Sequence, residues 1–235
     1  MKTSTILIIS AVVASFIALT AFNLTQKAFY NKGDWRNRFY GMEYVAIKNI
    51  TDIELADAEK MEVTIEQGVK EGLYIGKTFK EHIKWSKNGN KLKFEVTDDA
   101  KRGAPFRNET FVLVLNQIHQ LKTSPYAPLK FQKSYPRAEV QITGFSQNAL
   151  ALDLGKSGAV NLQKVELDSL IAKIGNKEGK ASLSIQKEAR IKTADFRIPG
   201  ESGLVLNNPN ITKATYNVSE RATVMLNGNV LKVLK

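Results

Sequence analysis

Residues 152–170 read LDLGKSGAVNLQKVELDSL. An alternating run (Leu152, Leu154) enters a polar corner, Gly155 to Gly158, and a second run (Val160, Leu162) leaves it. Alternation of this kind marks strands with one buried face. No hairpin partner follows. Relatives of the stretch lie further along the chain instead: LGKSGAVNL at 154–162, IGNKEGKASL at 174–183 and IPGESGLVL at 198–206. Leu162, Leu183, Leu206 and Leu226 follow one another at roughly 20-residue intervals. Further short strands, VELDSL, ARIKTADFRI and ITKATYNV, fill the intervals. A repeat near this length, made of short strands and Gly or Asn corners, is the mark of a solenoid. Gly and Asn take the left-handed backbone that such corners need.

A parallel β-helix accounts for the pattern. Leu150, Leu152, Leu154, Val160 and Leu162 then point inward, while Asp153, Asn161 and Lys164 face solvent. The strand partners of residues 152–170 lie roughly 20 residues away in either direction, one coil before and after. An antiparallel sandwich is the rival, and it needs more tight two-residue turns than this region holds.

Upstream, residues 41–117 form an opening strand layer by the same alternation: Met61, Val63, Ile65, then Leu92, Phe94, Val96. Asn88-Gly89 between two such runs predicts a hairpin turn with positive φ at both positions. No convincing helix is read after the leader. Residues 118–137 form a connector with Pro125, Pro128 and Pro136. It carries Lys122, Tyr126, Lys130, Phe131, Lys133, Tyr135 and Arg137 with no acid among them, and these are the candidate surface-binding residues. Cations interleaved with aromatics bind sugars or single-stranded nucleic acid by stacking and charge, although such aromatics also serve to pin a connector to a sheet. Regular coils occupy residues 138–235. Together, residues 41–235 make one all-β domain behind a linker at 24–40.

The leader, residues 1–23, carries an uncharged stretch, TILIISAVVASFIALTAF at 5–22. Its length suits a membrane span. Its exit lacks a good small-x-small cleavage site, so an uncleaved anchor suits it better than a signal peptide. Lys27, Lys32, Arg36 and Arg38 follow it, and the positive-inside rule would keep that side cytoplasmic. The plan of a single anchor ahead of a cysteine-free β-domain points instead to export.

The chain of 235 residues has no cysteine, which excludes disulfides, thiolate metal sites and a cysteine nucleophile. Its net charge of +11 is spread along the chain and suits anionic surroundings.

YVAIKNITDIELADAEKMEVTIEQG (44–68), NGNKLKFEV (88–96) and YPRAEVQITGFSQNALALDLGKSGAVNLQKVELDSL (135–170) together resemble the GIN-type autotransporter adhesin-head domain. That domain is common in envelope proteins of Bacteroidetes-like bacteria. The resemblance covers about residues 40–235 and rests on diffuse strand-and-corner features. It implies a right-handed β-helix, exported to the cell envelope, of largely unassigned molecular function.

Catalytic chemistry finds little support in the residues. Asp153, Glu166, Asp168 and Asp195 are the acids placed to face outward in the coils, and Asp168 to Asp195 does not match a coil length. His82 and His119 lie in different segments, so neither a metal nor a cofactor is expected. Asp168-Ser169-Leu170 matches a short O-glycosylation pattern at Ser169. The expectation is a non-enzymatic envelope protein held to the membrane by its N-terminal helix, binding anionic polysaccharide or envelope proteins and no nucleic acid. A carbohydrate-active β-helix enzyme and an envelope-sensing accessory are the alternatives.

Overall fold

The computed structural model describes residues 3–33, 36–101, 106, 109–124, 138–155, 157–177 and 180–228. They divide into two units, Met1–Gly41 and Met42–Lys235.

The first unit is built on one helix, α1 (Thr3–Lys32), of 30 residues. It is long and apolar enough to cross a membrane. Gly33, at φ 68°, ends it: its N–H donates to the Tyr30 carbonyl at 3.1 Å.

The second unit is almost entirely β. In chain order the strands are β1 (Met42–Val45), β2 (Asp52–Ala56), β3 (Glu62–Gln67), β4 (Gly72–Gly76), β5 (Ile83–Asn88), β6 (Lys91–Val96), β7 (Glu109–Leu115), β8 (Gln120–Ser124) and β9 (Glu139–Thr143). There follow β10 (Ser146–Leu154), β11 (Ser157–Gln163), β12 (Glu166–Ile174), β13 (Lys180–Ile185), β14 (Arg190–Ile198), β15 (Gly203–Asn207), β16 (Asn210–Val218) and β17 (Thr223–Asn227). Among the described residues, helix after the leader amounts to one short turn, Asp98–Lys101, and 3-10 turns.

These strands make two sheets. One has the order β1-β4-β7-β3-β9-β11-β13-β15-β17, the other β16-β14-β12-β10-β8-β2-β6-β5. Pairing is parallel throughout except at β1–β4, β4–β7 and β5–β6. From β8 onward consecutive strands alternate between the sheets, and each pairs with the strand two places on. The opening layer is continuous with this arrangement, since β3 pairs with β9 and β2 with β8. The first strand of the proline-rich segment, β8, is part of the second sheet.

Inward side chains stack from strand to strand. Leu152, Ala172, Phe196 and Tyr216 form one row, and Val160, Leu183 and Leu204 another. Except for the half-buried Tyr216 these are buried, as are Leu150, Leu154 and Leu162. Burying each such aliphatic side chain stabilises the fold by about 1.5–3 kcal/mol. Phe94 of one sheet stacks on Phe111 of the other, with ring centroids 4.3 Å apart, and closes the core at the β6–β7 end.

Four corrections to the sequence reading follow. Leu162 pairs with Ile185 rather than with Leu183, whose own partner on that strand is Val160. The hairpin pairs Asn88 with Lys91, so Gly89 and Asn90 form the turn. Of the two only Gly89 has positive φ, the pattern of a turn with Gly at its first central position. Asn161 lies on the outward side yet is buried, because Gln186 donates to its Oδ1 at 2.8 Å and Glu139 also hydrogen-bonds it. Finally, the left-handed residues lie mainly one corner later than the opening stretch suggests. Gly144 (80°), Lys164 (49°), Asn208 (56°) and Gly228 (77°) each directly follow a strand of the first sheet.

The longer strands of the second sheet bend in the middle. Leu167 and Leu170 are both buried, with exposed Asp168 and half-buried Ser169 between them. Ile191 and Ala194 repeat this around Lys192 and Thr193. Two outward residues in succession break the period of two, so the chain turns there. The Thr193 hydroxyl donates to the Asp168 carbonyl at 2.8 Å across the bend.

Candidate functional site

Parallel, in-register pairing puts outward residues of successive strands into rows that run along the stack, with about 4.8 Å between neighbours. The rows on the outer face of the second sheet include two before the bend and, after it, one that is rich in charge.

Before the bend the rows are Ser146–Glu166–Arg190–Asn210 and Asn148–Asp168–Lys192–Thr212. Each places a neutral polar residue, an acid, a base and a second neutral polar residue on four successive strands. Arg190 donates to Glu166 at 2.7 Å, and Lys192 Nζ lies 2.6 Å from Asp168. The Asp168 carboxylate holds the Lys192 ammonium above its ordinary pKa. These side chains line a shallow groove of about 500 Å³.

After the bend the charge-rich row reads Asn217, Arg197, Lys173, Asp153, Lys122, Glu54, Lys93, Ser86, one residue from each of the eight strands. Its acids are mostly answered by neighbours. Lys91 bonds Glu54 at 2.5 Å, which keeps that carboxyl below its usual range. Arg197 pairs with Asp195 at 2.6 Å, and Lys93 with Glu95. Asp153 has Lys173 at 3.5 Å. Lys122 is exposed and forms no ion pair among the described residues. The centre of the row, Lys173–Asp153–Lys122, therefore carries a net positive charge.

Of the residues singled out in the sequence, Lys122 lies in this row. Tyr126, Lys130, Phe131, Lys133, Tyr135 and Arg137 lie outside the described residues. Ser169 sits mid-strand on the bend, paired with Ala149 and Thr193, and lines a smaller groove with Asp195 and Lys213. His82 stacks on Phe106 at 6.1 Å, and His119 uses its backbone N–H to bond the Thr51 carbonyl at 2.7 Å. Among the described residues no group of three or more His, Asp or Glu is arranged to hold a metal.

The outward acids do not align with one another on successive strands of this sheet. Glu166 has Ser146 and Arg190 as neighbours, Asp153 has Lys122 and Lys173, and Asp195 has Ile171 and Thr215. Arg190 and Lys192 escaped the sequence reading. Their partners, Glu166 and Asp168, lie slightly further back along the chain than the leucine spacing suggests.

Three carboxylates do neighbour one another on the other sheet. Glu62 lies beside Glu109 in the register, and the backbone N–H of Glu139 donates to Glu62 Oε2 at 3.2 Å. Thr64 Oγ1 donates to Glu109 at 2.5 Å. Burial, then the Glu62 carboxylate, raise the Glu139 pKa, and its bond to Asn161 opposes them. From Asn161 a line of amides continues: Gln186 donates to Asn161, Asn207 to Gln186 at 3.1 Å, and Asn227 to Asn207 at 2.9 Å.

No protein-family model and no curated protein matches the chain. Among solved structures it is similar to a Bacteroides fragilis protein described as a "putative adhesin", with a TM-score of 0.47 and 13% identity. The match covers 79% of this chain and 95% of that one.

Proposed function

We propose that this protein is a non-catalytic binding module of the cell envelope. In this reading α1 anchors it and residues 42–235 wind as coils of a right-handed parallel β-helix of the GIN type. The alternation of strands between two sheets, with partners recurring at roughly 20-residue steps, supports the coil reading. The ligand is an acidic polysaccharide lying along the stack on the outer face of the second sheet.

One observation carries the ligand assignment: the row Arg197–Lys173–Asp153–Lys122–Glu54–Lys93 crosses six adjacent strands in register with a cationic centre. Its five intervals span about 24 Å. A linear polymer with regularly spaced carboxylates suits a track of that geometry better than a compact ligand does. Such contacts are surface ion pairs, so their strength falls with salt. The pairing of outward acids with bases, rather than with other acids, favours binding over glycosidic hydrolysis, which needs two carboxyl groups across one bond.

The test is biolayer interferometry on the immobilised full chain in detergent, with alginate as the acidic probe and dextran as the neutral one. Alginate binds the wild type and dextran does not, and raising salt from 50 to 300 mM weakens the binding. Lys122→Glu with Lys173→Glu lowers alginate affinity roughly tenfold, equivalent to about 1.4 kcal/mol. Equal affinity of the variant and the wild type, or dextran binding as well as alginate, refutes the assignment.

A further inference from the structure

The helix α1 is longer than a bilayer requires. Its 30 residues span about 45 Å, whereas a hydrocarbon core of about 30 Å takes roughly 20 residues. The strongly apolar stretch ends at Phe22, the first charge after it is Lys27, and the helix continues through NLTQKAFYNK to Lys32. Those last turns carry Lys27, Phe29 and Tyr30.

Past Gly33 the chain folds back on the helix end. The Arg36 N–H donates to the Gly33 carbonyl at 2.9 Å. Tyr40 packs edge-on against Phe29, with centroids 6.3 Å apart at 85°. The Arg36 guanidinium lies over the Tyr30 ring at 5.9 Å, and that of Arg38 over Phe39 at 5.6 Å. Arg36 thus lies against the aromatic collar of Phe29, Tyr30 and Tyr40, Lys27 lines the groove beside it, and Arg38 is held on the adjoining Phe39. Phe29, Tyr30 and Tyr40 remain 45–57% exposed. An open groove of about 510 Å³ lies beside Lys27, walled by Gln26, Phe29 and Tyr30.

Exposed aromatics clustered with cations are at home in the headgroup layer, where one side of each ring is apolar and the other wet. The sequence from Asn23 to Gly41 holds four cations and one acid, Asp34. We infer that this collar is a binding site for anionic phospholipid, with Lys27, Arg36 and Arg38 on the headgroup phosphate and Phe29, Tyr30 and Tyr40 against the glycerol and upper acyl chain. The inference rests on the anchor reading of α1.

The full chain is reconstituted into phosphatidylcholine vesicles containing about one-third phosphatidylglycerol. Insertion is read first, by flotation after a carbonate wash. Lipid selectivity is read second, by electron spin resonance of spin-labelled phosphatidylglycerol against phosphatidylcholine. The expected result is a carbonate-resistant protein with roughly fivefold preference for phosphatidylglycerol. The triple variant Lys27→Gln, Arg36→Gln, Arg38→Gln still inserts, and its preference falls to near one. Excess inorganic phosphate leaves the wild-type preference unchanged, which separates a lipid site from a free-phosphate site. An inserted wild type with no preference, an inserted variant that keeps it, or displacement by inorganic phosphate each overturns the lipid site while the anchor stands. A chain removed by carbonate overturns the anchor, and the lipid site with it.

Discussion

Replacing Gly200 with alanine tests the packing of one corner against the next. An ideal Cβ at Gly200 falls 2.1 Å from the carbonyl oxygen of Asn176, and 3.1 and 3.2 Å from the carbonyl carbons of Asn176 and Lys177. All three are backbone atoms of the preceding corner. A carbon–oxygen contact is relaxed at roughly 3.2 Å or more, so the two corners must separate by about 1 Å. Gly200 has little freedom to retreat, because its own carbonyl accepts the hydroxyl of Ser219, just after β16, at 2.9 Å. Overpacking of this kind costs about 1–3 kcal/mol, and a backbone obstacle places Gly200→Ala toward the upper end. At about 2–4 °C per kcal/mol for a unit of this size, Tm falls by about 4–12 °C. Gly203→Ala is the control, since a Cβ there meets nothing within 4 Å. The assay is urea and thermal unfolding of the full chain in detergent, followed by far-ultraviolet circular dichroism of the β-domain. A Gly200→Ala variant as stable as Gly203→Ala refutes the packing of the 176–177 corner on the 199–200 corner.

Two further predictions concern stability. Lys164 holds a left-handed backbone at φ 49° in an exposed corner, so Lys164→Gly relieves strain of about 1–2 kcal/mol against the greater freedom of unfolded glycine, a net gain of roughly 0.5–1 kcal/mol by urea unfolding. Glu139→Gln stabilises the protein at neutral pH. The native state raises the Glu139 pKa above 4.5, so it binds this proton more tightly than the unfolded chain does, and stability falls as pH rises through that range. Thermal unfolding scans therefore show the Glu139→Gln advantage growing from pH 4 toward 7 and vanishing below pH 4.

The spacing of the stacked strands was legible because inward residues must be apolar on every strand, and leucine spacing records that demand directly. Register was less legible. The step between paired strands is not constant: Leu150 pairs with Leu170, but Leu170 pairs with Ala194, a longer step. Leucine identity alone could not choose between Leu183 and Ile185 as the partner of Leu162. The paired charges escaped for the same reason, since Glu166–Arg190 and Asp168–Lys192 become neighbours only at the longer step. Lys164 escaped because its side chain is ordinary and only its backbone is not. Asn161 was assigned to solvent by alternation, which distinguishes faces but not the cover that amides on neighbouring strands provide.

The two ends of the sheets are not equivalent. At one end lie β1, β4 and β5, which run antiparallel to their neighbours. At the other lie β16 and β17, which run parallel to theirs and whose inward Val218, Val224 and Leu226 are not fully buried. A reversed strand presents the wrong direction to an incoming parallel strand, whereas β16 and β17 offer the same parallel template that β10 to β15 used. Among the described residues the molecule is therefore extensible in one direction only. Duplicating the 190–209 interval inserts a strand pair in phase with those around it, while an insertion of half that length sends every later strand to the opposite sheet.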